Sequence, residues 1–236
     1  MLYIADISDL TCEDLKNKVC SQRIEYADKY KFEIDRRRSL AVEALLNVAL
    51  RYEGYEGDFP VRVGHEDNWK PYFMDKIAIK GYDKVYFSLS HSGNYVAVAI
   101  GDSPIGIDIE EIKGHTSLIE EKYFSDEEKL LMNTDPDGAE AGFFRIWTLK
   151  EAFLKAVGAG LKYGIGEVHV MQGENEGIKC DMQIREVIEV NLCEVPIGNI
   201  NNRYSLNEKY YYNCPQYYGM SYDAPEGYAL SVALCT

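Results

Sequence analysis

Pro104–Ile112 reads PIGIDIEEI and sets the carboxylates Asp108 and Glu110 in alternation with Ile105, Ile107 and Ile109. Successive side chains of a strand point to opposite faces, so the isoleucines share one face and the two acids share the other. The apolar face asks for a core beneath it. The acidic face is either a solvated surface or one wall of a cation site. Carboxylates this close repel, and burying them without a cation drives one towards protonation. A hard ion such as Mg2+, which takes oxygen ligands from carboxylates, water and phosphates, removes the conflict. The pair alone does not choose between these readings.

Further along, IWTLKEAFLKAVG (Ile146–Gly158) carries Glu151 and Lys155 four residues apart, on one face of a predicted helix over Ala141–Val157 that Gly158 and Gly160 end. Trp147, Leu154 and Val157 supply the surface that anchors it. Glu151 and Lys155 are either an exposed ion pair or an acid for a metal beside an ammonium for a phosphate. Upstream, FSLSHSG (Phe87–Gly93) predicts strands at Val85–Leu89 and Tyr95–Ile100 joined by a tight turn Ser90–Gly93. Its hydroxyls, imidazole and glycine suit phosphate, and a plain hairpin end is the alternative.

The remaining pattern is mixed. Leu2–Ile7 predicts a first strand, Thr11–Val19 a helix, and Ile34–Arg51 a longer helix stopped by Gly54. Short strands are expected at Val61–Gly64, Lys76–Ile79, Glu167–Gln172, Met182–Val190 and Gly227–Cys235. Ser125 and Glu128 form a capping box opening a helix through Leu131. GNYVAVAI (Gly93–Ile100) and EGYALSVAL (Glu226–Leu234) resemble each other, as two related halves meeting near residue 103 would, or as any two buried strands do. The tyrosine-rich Lys209–Tyr222 suggests a loop or an irregular strand pair.

The 236 residues are 46% hydrophobic and 27% charged, with a net charge of −14. That charge argues against nonspecific binding to nucleic acid or anionic membranes. No apolar run reaches the length of a membrane span, and MLYIADISDL lacks the makings of a signal peptide. The six cysteines form no CxxC and no zinc-like spacing with histidine. Reduced thiols in a cytoplasm are therefore expected. An acidic chain that binds an anion needs local basic groups, and Lys29–Arg38 is the cluster available.

Taken together, IGIDIE (Ile105–Glu110) followed by WTLKEAFLK (Trp147–Lys155) resembles the paired signature of the 4′-phosphopantetheinyl transferases. FSLSHSG resembles a third motif of that family. WKP (Trp69–Pro71) resembles its short glycine-lysine-proline element, with Trp69 where glycine is usual. The length is similar to the Sfp-type branch, which implies an α/β (α+β) fold of two similar halves, 1–103 and 104–236, related by a pseudo-twofold axis in a monomer.

The resemblance implies transfer of the phosphopantetheine arm of coenzyme A to a serine of an apo acyl or peptidyl carrier protein. It assigns Asp108, Glu110 and Glu151 to Mg2+, with Mn2+ as an alternative ion. Catalysis falls to Asp108, to Glu151 as candidate base and to Lys155 on the pyrophosphate. Coenzyme A contacts are implied at Lys29, Lys31, Arg38, Ser39, Lys70, Pro71, Ser90, His91, Lys150 and Lys155. Ile112, Leu118, Tyr123 and Phe124 are candidates for carrier docking. The competing readings are another Mg2+-dependent phosphoryl-transfer enzyme and a noncatalytic module that binds coenzyme A or the carrier.

Overall fold

The structure is a computed structural model describing residues 1–66, 70–114, 117–158, 164–170, 187–189, 202–204, 211–214, 217–222 and 224–235. In chain order its elements are β1 (Leu2–Asp6), α1 (Cys12–Lys16), α2 (Ser21–Ala27), α3 (Glu33–Tyr52), β2 (Val63–His65), β3 (Pro71–Phe73), β4 (Tyr86–Ser92), β5 (Tyr95–Gly101) and β6 (Ile105–Glu111). There follow α4 (Ser117–Tyr123), α5 (Asp126–Asn133), α6 (Ala139–Val157), a 3-10 turn at Ile165–Glu167, β7 (Val187–Glu189), β8 (Asn202–Tyr204), β9 (Tyr211–Cys214), β10 (Tyr217–Tyr222) and β11 (Tyr228–Cys235).

The strands form one sheet ordered β4-β5-β1-β7-β8, a second ordered β6-β11-β10-β9, and the small hairpin β2-β3. Strand alternation sorts the layers. Tyr3, Ala5, Val96, Val98 and Ile100 pack with Leu40, Leu45 and Ala49 of α3. The opposite faces of β1 and β5, through Leu2, Ile4, Ala97 and Ala99, meet Ile105, Ile107, Ile109 and Val232 of the second sheet. Ala152 and Ala156 of α6 close over Ala233 on that sheet's outer side. The order is therefore α3, sheet, sheet, α6. β1 pairs antiparallel with β5, and β5 with β4; β6 pairs antiparallel with β11, and β11 with β10.

Three expectations change. Ser90, His91 and Ser92 belong to strand β4, and the turn is confined to Gly93–Asn94. The serines stay in the strand because Ser88, Ser90 and Ser92 accept hydrogen bonds from the Ile107, Ile109 and Glu111 N–H groups, at 3.1, 3.3 and 3.1 Å. No strand occupies Lys76–Ile79, and Pro71–Phe73 pairs with β2 instead. That ladder stops where the Asp75 carboxylate takes the Arg62 N–H at 2.8 Å. Glu167–Val170 likewise forms no strand, since the Val170 N–H goes to the Glu128 carboxylate at 2.6 Å. The expected residues 171–172, 182–186 and 190 lie outside the described residues, as does Trp69. Helices α2 and α4 were not expected, and the tyrosine-rich segment supplies β9 and β10.

Gly106 sets the distance between β6 and α6. A Cβ added there would lie 1.9 Å from the Ala152 carbonyl oxygen and 2.5 Å from the Ala156 nitrogen. Both are backbone atoms of a packed helix, so relief requires moving α6. Gly106→Ala should destabilise the fold by about 1–3 kcal/mol, the usual cost of overpacking, and lower Tm by several degrees in calorimetry. An unchanged Tm would mean that α6 is not seated this tightly.

Candidate active site

Asp108 and Glu110 project from β6 towards α6, on the side that Gly106 leaves open. Trp147, Glu151 and Lys155 lie at four-residue intervals on α6 and share its face. All five line one cavity of about 440 Å³, together with Ser90 and His91 of β4, Ser39 of α3 and Pro71 of β3.

The hydrogen bonds within it are fully allocated at two residues. The Ser90 hydroxyl donates to Asp108 Oδ1 at 2.8 Å and accepts from Ile109 N–H at 3.3 Å and Lys155 Nζ at 2.9 Å. A hydroxyl has one proton and two lone pairs, so none is left. Lys155 Nζ also donates to Ile107 O at 3.1 Å and Asp108 Oδ1 at 2.6 Å, which uses its third proton. Asp108 is 3% exposed, yet its Oδ2 is buried and has no hydrogen-bond partner among the described residues. Ser92 donates to Glu110 Oε2 at 2.7 Å.

The electrostatics are strained by like charge. Burial, then Asp108, pushes the Glu110 carboxyl above its usual range. Burial, then Asp108, does the same to Glu151, with Lys155 opposing and Glu110 adding to the rise. The walls around His91 desolvate it and hold its imidazole below the ordinary value, helped by the Lys155 ammonium. Among the described residues, no group of three or more His, Cys, Asp or Glu side chains is gathered closely enough to hold a metal ion as it stands.

Other expected site residues lie elsewhere. Lys29 and Lys31 are exposed, with their ammonium groups over the Tyr26 and Phe32 rings. The arginine run braces loops: Arg36 bonds the Tyr30 and Lys31 carbonyls, Arg37 the Leu10 carbonyl, and Arg38 the Gly93 carbonyl at 2.8 Å. Lys70 reaches the end of α6 and donates to Ala156 O at 2.9 Å, and burial lowers its pKa. Lys150 does not line the cavity: it is fully buried, bonded to Glu128 Oε2 at 2.8 Å and Tyr123 O at 2.6 Å. Of the docking candidates, Leu118 is 73% exposed, Ile112 and Tyr123 are half-buried, and Phe124 is buried against Phe143.

Sequence reasoning missed Arg23, Tyr26, Tyr30 and His65, which complete the cavity wall. Arg23 and Tyr26 sit on the unexpected α2, so no periodic signal pointed to them.

The family model of the 4′-phosphopantetheinyl transferase superfamily matches residues 104–224. The chain is 37% identical over 155 residues to the 4′-phosphopantetheinyl transferase psf-1 of Bacillus pumilus, covering 65% of this chain and 64% of that protein. It is 34% identical to the 4′-phosphopantetheinyl transferase HetI of Nostoc sp., covering 63% of each. It is 28% identical to the 4′-phosphopantetheinyl transferase Sfp of Bacillus subtilis, covering 61% of this chain and 62% of that one. The chain thus spans just under two thirds of the length of each of these three relatives.

The burial of Lys150 has a measurable consequence. Lys150→Met strands Glu128 in the interior, so stability should fall by about 3–5 kcal/mol in urea unfolding. A stable variant would exclude this structural role.

Proposed function

Because the chain belongs to the 4′-phosphopantetheinyl transferase superfamily, we propose that it moves the 4′-phosphopantetheine group of coenzyme A onto a serine of an apo acyl or peptidyl carrier protein. The observation that carries this is the convergence of Asp108, Glu110, Glu151, Lys155 and His91, from two strands and a distant helix, on one cavity. In the reaction the carrier serine oxygen bonds to the phosphorus nearer the pantetheine. The pyrophosphate bond breaks, and adenosine 3′,5′-bisphosphate leaves with the electron pair.

Asp108, Glu110 and Glu151 are the proposed Mg2+ ligands. The fit rests on an all-oxygen donor set, on the unpartnered Oδ2 of Asp108, and on acids whose like charges favour a cation between them. When bound, Mg2+ supplies charge neutralisation on the pyrophosphate. Glu151 accepts the serine proton, and burial in an acidic neighbourhood makes its carboxylate the stronger base. Lys155 exchanges one of its present bonds for a phosphate oxygen. Ser90 holds Asp108 in place, and His91, neutral at pH 7, donates to coenzyme A.

Ser39 and Pro71 border the same substrate. Lys29, Lys31, Arg38 and Lys70 act from the rim or through the loops they brace, and Lys150 through the packing of α6. The chain is proposed to work as a monomer of two related halves, 1–103 and 104–236. The matching orders β1-β5-β4 and β6-β11-β10 support that division. The cytoplasm, where coenzyme A and reduced thiols coexist, is the proposed compartment. Among the described residues no helix is long and apolar enough to cross a membrane.

Incubated with Mg2+, coenzyme A and apo carriers from fatty-acid, polyketide and peptide synthesis, the protein should add one phosphopantetheine to at least one carrier, as read by mass spectrometry. No addition to any of them would overturn the proposal. Asp108→Ala should cut the rate by more than about a hundredfold, since a Lewis-acid contact contributes several kcal/mol, while the folded state persists. Chelating the divalent ions should have the same effect, and restored Mg2+ should reverse it.

A further inference from the structure

Two rows of side chains on α6 divide its work. Trp147, Glu151 and Lys155 line the cavity. Thr148, Ala152 and Ala156 each come one residue later and form the neighbouring row, at the same four-residue interval. That second row sits on the sheet, and all three of its residues are buried. Beneath it lie the outward residues of two paired strands. Gly106 is opposite Ala233, and Asp108 opposite Ser231, in the register of β6 and β11. Residues paired in this way point to the same side of a sheet. Ala152 and Ala156 rest on Gly106 and Ala233. Contacts this small set the spacing of helix and sheet, but they offer few ridges against sliding or rotation.

Thr148 differs from the alanines. Its hydroxyl lies 2.7 Å from that of Ser231, and both side chains are fully buried. It also donates to Arg145 O at 3.1 Å. A hydroxyl has one proton, so Ser231 donates to Thr148 and Thr148 to Arg145 O. The bond therefore joins the cross-strand neighbour of Asp108 to a residue nearly one turn before Glu151. We infer that Thr148 and Ser231 are positioning residues, whose hydrogen bond fixes the register of α6 on the sheet and so holds the Glu151 carboxylate in place within the cavity. This rests on the proposed transfer reaction. Lys155 also ties α6 to β6, but in that reaction it gives up one of its bonds to a phosphate. Thr148 and Ser231 do not line the cavity, so their bond persists while Lys155 changes partner. The long stem of Lys155 can follow a phosphate through a small shift of the helix. The shorter stem of Glu151 cannot keep its alignment with the serine oxygen. Loss of register therefore falls on turnover and spares the binding of coenzyme A.

The experiment compares the wild type, the double variant T148V/S231A and Thr148→Ser in two ways: steady-state transfer to an apo carrier that the wild type modifies, and amide hydrogen exchange of the ligand-free chain. The double variant removes both partners and strands no buried hydroxyl, so its Tm should stay close to that of the wild type. Its kcat should fall by about ten- to a hundredfold, the loss expected when a reacting group is misplaced by about 1 Å, with KM for coenzyme A held within about twofold. Amide exchange should quicken in α6 and stay unchanged in β6 and β11. Thr148→Ser keeps the hydroxyl and should restore kcat. A purely structural bond would instead lower Tm and leave the kcat of the folded enzyme intact. That result, or a Thr148→Ser as slow as the double variant, overturns the inference. If the wild type modifies no carrier, the proposed reaction falls, and exchange alone decides the register: unaltered protection of α6 in T148V/S231A overturns it.

Discussion

The junction between the two sheets is made by side chains, and the rest of the site depends on it. β4 and β6 are edge strands of different sheets, and a buried edge leaves N–H groups that cost free energy if unpaired. Ser88, Ser90 and Ser92 accept those of Ile107, Ile109 and Glu111. The bond to a backbone N–H uses an oxygen lone pair and leaves the hydroxyl proton to find an acceptor. For Ser90 and Ser92 that acceptor is the intervening carboxylate, Asp108 or Glu110. Satisfying the edge therefore orients the acids, with structure and chemistry sharing the same hydroxyls.

The helix completes what the strands begin. Gly106 lets the α6 backbone come close enough for Lys155 to reach Ile107 O, Ser90 and Asp108 at once. Lys155 thus ties α6 to the acidic strand, and Trp147 and Glu151 follow from helical spacing on the same face. Lys150, the next residue before Glu151, points to the other side. There it joins α6 to the capping box of α5 through Glu128, whose carboxylate also takes the Ser125 and Val170 N–H groups. Adjacent residues of one motif divide between the site and its foundation.

Much of this was legible because the chemistry is local. Alternation in Ile105–Glu110 located the acidic face, and helical spacing paired Glu151 with Lys155. What escaped was set by long-range pairing. FSLSHSG read as a turn because serine and glycine favour turns, but the ladder to β6 keeps its serines extended. The arginine run read as a positive patch, although its side chains are bonded to the Tyr30, Lys31, Leu10 and Gly93 carbonyls. Arg23 carried no motif at all, and its place depends on Glu43, twenty residues later in another helix.

The charge balance of the cavity follows from the same packing. A chain with a net charge of −14 gains little from general attraction of an anion. Its fixed cations are therefore embedded, each against an acid of its own: Lys155 against Asp108 and Arg23 against Glu43. Such pairing keeps a buried cation affordable in the empty cavity and holds its donors at set angles. On the proposed function, a phosphate entering beside Lys155 would meet an oriented hydrogen bond in place of a diffuse field.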